Sequence, residues 1–62
     1  MMFTVGQRVQ LTILGESQGL QGRARTRFGR VVIADKWSLV KVKRDGIKQP
    51  AWYWVNFWTN AE

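Results

Sequence analysis

The stretch Leu39-Val40-Lys41-Val42-Lys43-Arg44-Asp45-Gly46-Ile47-Lys48-Gln49-Pro50-Ala51-Trp52-Tyr53-Trp54-Val55 decides the fold class. Its first residues alternate, with Val40 and Val42 on one face and Lys41 and Lys43 on the other, the pattern of a half-buried strand. Asp45-Gly46 is the strongest short hairpin signal in the chain, because Asp and Gly tolerate the positive φ angles of tight turns. Pro50 has no ladder N–H, so the returning strand, Lys48 to Val55, begins there or lies at a sheet edge. Alternation leaves two phases open for it. Either Ala51, Tyr53 and Val55 face the core with Trp52 and Trp54 outside beside Lys41 and Lys43, or the two tryptophans are buried and Tyr53 is exposed.

Working outward, Gly6 precedes Arg8-Val9-Gln10-Leu11-Thr12-Ile13, which alternates with Val9, Leu11 and Ile13 on one face. Arg30 to Ala34 is rich in β-branched residues and reads as a strand with Val31 and Ile33 inward. Residues 35–38 form its connection to Leu39, with Trp37 either folded over the domain end or projecting as a lone aromatic finger. Between the first two strands, Gly15, Gly19, Gly22 and Gly29 punctuate a polar stretch without helical period, a long Gly/Arg-rich loop. Phe57 and Trp58 follow a turn at Asn56. Helix is expected at most as a short 3₁₀ turn around Val55 to Phe57. The expectation is a single all-β domain over residues 1–62, five short antiparallel strands closed into a small barrel so that no edge is left exposed.

Composition narrows the chemistry. The 62 residues hold ten Lys and Arg against four Asp and Glu, a net charge of +6, with no His and no Cys. Thiolate nucleophiles, disulfides, zinc-finger spacings and any Ser-His or Cys-His arrangement are excluded. Glu16, Asp35, Asp45 and Glu62 are scattered, which argues against a carboxylate pair or a metal cage. Ser17 and Ser38 have no His to activate them, and the glycines of 15–22 do not end in the Gly-Lys-Ser/Thr of a phosphate loop. No enzyme, catalytic residue, metal or cofactor is expected. The N-terminus shows no signal-peptide pattern and no apolar run is long enough to span a bilayer, so a cytoplasmic protein without a membrane partner is expected.

Four segments resemble the SH3-like barrels of the KOW type, found in ribosomal proteins and at the C-terminus of NusG transcription factors. Val5-Gly6-Gln7-Arg8-Val9 resembles their opening Gly-x-x-Val strand, and Gly29-Arg30-Val31-Val32 their Gly-x-Val turn and strand. Val40-Lys41-Val42 is similar to the next strand, and Pro50 through Trp58 to the closing strand and final turn. The resemblance spans residues 5–58 and implies that Tyr53 and Trp58 face inward. The Arg-bearing stretch from Gly19 to Gly29 is longer than a compact KOW loop. Gly6-Gln7-Arg8-Val9 is also similar to the opening of the plasmid-encoded dihydrofolate reductases, but their pore-lining Val-Gln-Ile-Tyr has no counterpart in Ala51-Trp52-Tyr53-Trp54-Val55, so that activity is rejected.

The basic residues carry the functional expectation. Arg23, Arg25 and Arg27 would point one way if extended, and a ridge of guanidinium groups suits phosphate oxygens. With Arg30, Lys41, Lys43 and Lys48 they would form a phosphate track, and outward Trp52 and Trp54 would stack single-stranded bases. The expected function is therefore a nucleic-acid-binding accessory protein, for DNA or RNA, with low sequence preference because no recognition helix exists. The competing reading is an SH3-like protein-interaction adaptor of a phage or transcription assembly, using the aromatics for a protein partner or self-association. The bland reading of the same charges is a solvated face that keeps a small domain soluble.

Overall fold

A computed structural model describes residues 3–20 and 24–62. Five antiparallel strands form one sheet: β1 (Arg8–Leu11), β2 (Phe28–Lys36), β3 (Leu39–Arg44), β4 (Ala51–Trp54) and β5 (Trp58–Asn60), in the spatial order β4-β3-β2-β1-β5. Among the described residues no pairing joins β4 to β5, so the ladder is an open sheet rather than the closed barrel expected. Its two ends nonetheless meet through side chains. Tyr53 of β4 and Trp58 of β5 pack edge to face with ring centroids 5.4 Å apart. The irregularities lie in β2, whose nine residues pair with β1 at one end and with β3 along their length, with register shifts between Val31 and Ile33 and between Ile33 and Lys36. An extra residue on one strand bends it and increases its twist.

The core lies on the concave side. Phe3, Val9, Leu11, Val31, Val40, Val42 and Trp58 are buried, and Tyr53, Val55 and Phe57 pack against them. The alternation of β1 and β3 thus places the inward residues as expected, and of the two phases open for β4 the chain adopts the one with Tyr53 inward. Ile33 is a correction: the bulge after Val31 turns it outward, and it is 44% exposed. Gly29 also differs from expectation, lying inside β2 rather than in a turn. A Cβ there would come within 2.7 Å of the Lys43 carbonyl oxygen, so only glycine lets β2 and β3 close up at this point.

The segment expected as an irregular loop is partly helical. Thr12 ends β1: its Oγ1 accepts the Gly15 N–H at 3.2 Å and donates to the Asn56 carbonyl at 2.8 Å, capping a helical turn at Ile13–Gly15. Ile13, expected to face inward, is therefore 88% exposed. A wider turn follows at Glu16–Leu20, interrupted by Gly19 in left-handed backbone (φ 83°), and a 3₁₀ turn at Ala24–Arg27 leads into β2. Arg44, at the end of β3, faces the core side and is 7% exposed. Its Nε donates to the Thr26 carbonyl at 2.9 Å, which ties the 3₁₀ turn to the sheet.

The two connections around β3 exchange roles. Trp37 and Ser38 alone link β2 to β3, with φ of 61° and 69°, the left-handed angles of a two-residue hairpin turn. Asp45-Gly46 does turn the chain, with Gly46 at φ 83°, but β4 starts only at Ala51, so its hairpin has a six-residue connection. β4 follows Pro50 directly and is an edge strand, and the 3₁₀ turn at Val55–Phe57 is present as expected.

Candidate nucleic-acid interface

Cross-strand partners project from the same face of a sheet. On the convex face, Arg8 of β1 lies opposite Arg30 of β2, and Arg30 lies opposite Lys43 of β3. Three cations therefore sit in one row across three strands. In the next row along β3, Lys41 lies between Ile33 and Trp52, and its Nζ is 5.9 Å from the Trp52 ring centre. Leu39 and Trp54 are paired one row further. The face thus grades from cationic at Arg8, Arg30 and Lys43 to aromatic at Trp52 and Trp54, which are 48% and 56% exposed.

Like charges directly opposite one another destabilise a sheet, and the row contains two such pairs. One carboxylate relieves them in part. Asp45, just beyond β3, accepts from both terminal nitrogens of Arg8, Nη1 at 2.8 Å and Nη2 more closely, a bidentate pair with fixed geometry. The hydrogen bond from Arg8 holds the Asp45 carboxyl below its ordinary value of 3.8, helped by the charges of Arg8, Lys43 and Arg30. The same hydrogen bond raises the Arg8 pKa. Arg8 also lies 5.6 Å over the Phe28 ring. Arg30 donates to the Gly6 carbonyl at 2.9 Å through Nη1 and remains exposed. Lys43 is exposed beside it.

Of the residues expected to bind, the fold gathers Arg30, Lys41, Lys43, Trp52 and Trp54 on one face. Arg23 and the side chain of Arg25 lie outside the described residues, and residues 24–27 form a 3₁₀ turn rather than an extended strand. Arg27 turns instead toward Glu16, with Nε 3.8 Å from its carboxylate. Lys48 is exposed on the connection between β3 and β4, outside the register of the row. Arg8 is the member that sequence reasoning left out of the site. Its polar phase against Val9 and Leu11 was visible, but its alignment with Arg30 depends on strand pairing.

Among the described residues no cluster of His, Cys, Asp or Glu could hold a metal ion, and no helix is long and apolar enough to cross a membrane. Beside the aromatic end, Gln18, Leu39, Trp52, Tyr53, Trp54 and Phe57 line an open hollow of about 420 Å³. No family model, curated protein or solved structure matches this chain.

Proposed function

We propose that this chain is a small five-stranded domain of SH3-like, KOW-type fold that serves as a nucleic-acid-binding accessory protein with low sequence preference. The strand order, the 3₁₀ turn between β4 and β5 and the contact of Tyr53 with Trp58 support the fold reading. The observation that carries the function is the row Arg8, Arg30 and Lys43, continued by Lys41. Two like-charge pairs cost stability in the free protein, and a polyanion laid across them removes that cost while releasing its own counterions. A sheet face without an inserted helix or strand reads backbone charge rather than base edges, hence the low sequence preference.

Anisotropy titration of labelled oligonucleotides over a series of salt concentrations tests the proposal. Affinity is expected to fall steeply with salt, and R30E and K43E each to weaken binding and flatten the salt dependence. Affinity unchanged by R30E/K43E removes the proposal. The adaptor reading is favoured by the exposed indoles of Trp37, Trp52 and Trp54. It has the opposite signature, a protein interface that survives salt because apolar contact is not screened.

A further inference from the structure

We infer that the nucleic acid this face takes is single-stranded, with two bases stacked on Trp52 and Trp54 and their phosphates held by Lys41, Lys43 and Arg30. The inference rests on the reading above and specifies the substrate. Trp52 and Trp54 are two residues apart on one face of β4, which places their backbones about 6.6–6.8 Å apart. That is about twice the 3.4 Å advance per nucleotide along one strand of a duplex. Neighbouring bases reach both indoles only on a strand that is unstacked and drawn out, which pairing in a duplex forbids. A duplex would present phosphates to the cationic row and leave both indoles unused.

Two further features agree. Lys41 is paired with Trp52 and lies against its ring, so a cation stands next to the stacking surface, where the backbone of a stacked nucleotide must pass. The hollow of about 420 Å³ beside the indoles also falls in the size range of sites for small organic groups. Its lining includes Leu39 and the rings of Trp52, Tyr53, Trp54 and Phe57, with the Gln18 amide offering donor and acceptor groups. Stacking without a set of base-edge partners accepts any base.

The test compares a twelve-nucleotide oligothymidylate and a twelve-nucleotide oligouridylate with the oligothymidylate annealed to its complement, all at one salt concentration. Both single strands are expected to bind at least about tenfold more tightly than the duplex and to quench tryptophan fluorescence. W52A and W54A should each lose roughly 5- to 150-fold in single-strand affinity, while duplex affinity is expected to stay largely unchanged. W52F and W54F keep a stacking ring and should retain the preference, which separates stacking from damage to the fold. Equal affinity for single strand and duplex, with the salt dependence intact, overturns this inference and leaves the polyanion reading standing. A preference unchanged in W52A and W54A overturns it as well. Failure of every oligonucleotide to bind removes the reading on which it rests.

Discussion

Trp37 shows what a single residue reveals when its backbone and its side chain are weighed together. It is 86% exposed and sits with Ser38 in left-handed φ. Non-glycine residues held there cost about 1–3 kcal/mol each, and Asn-Gly is the pair that such a turn prefers. The packing return on the Trp37 side chain is small. The double variant W37N/S38G is therefore expected to raise stability by about 1–2 kcal/mol, measured by urea denaturation. Loss of stability would show that the indole supports the fold. Asp45 gives a second test at this scale. D45N removes the carboxylate that Arg8 grips, lowering stability near neutral pH by about 0.2–1 kcal/mol, the range for a solvent-accessible pair. Because the folded-state pKa of Asp45 is depressed, the contribution is present above the ordinary carboxyl value and disappears as pH falls through the lower, folded value. Wild type and D45N should converge in acid. The same substitution frees Arg8 and should tighten oligonucleotide binding, so stability and affinity move in opposite directions.

At the scale of elements, the strands were legible where burial alternates without interruption. Val9 and Leu11, then Val40 and Val42, needed only the period of two, and Pro50 marked both the start of β4 and its edge position. Reading failed where a single side chain or bulge changes the phase. Thr12 looks like one more polar residue of a strand, yet its hydroxyl caps a turn and reaches the Asn56 carbonyl across the molecule. T12A loses both contacts and should cost about 1–2 kcal/mol, with the amide of Gly15 exchanging faster than in the wild type. Unchanged exchange at Gly15 would mean that the cap does not hold the turn. Ile33 was misread for a related reason, since a register shift between Val31 and Ile33 has no mark in residue type. Asp45-Gly46 announced a turn but not its loop length, which is set by where β4 finds its register on Lys41 and Val42.

Across the whole molecule, the quantity that matters is where the +6 net charge is placed. Four cations, Arg8, Arg30, Lys41 and Lys43, share the convex face, and one is already paired with Asp45. With about 0.7 counterion released per phosphate on a single strand, three to four contacts give a log K against log salt slope between about −2 and −3. A slope near zero would show that the face does not bind through phosphates. R30E/K43E should bring the wild-type slope close to −1. The sequence by itself determined the class of the fold, the inward residues of the regular strands and the absence of thiol or imidazole chemistry, because these follow from residue type and a local period. Tertiary structure alone decided that Arg30 stands between Arg8 and Lys43, that Arg44 is withdrawn into the core side, and that Arg27 turns to Glu16. Those placements depend on register between strands far apart in the chain, and no local pattern encodes which residue will stand opposite which.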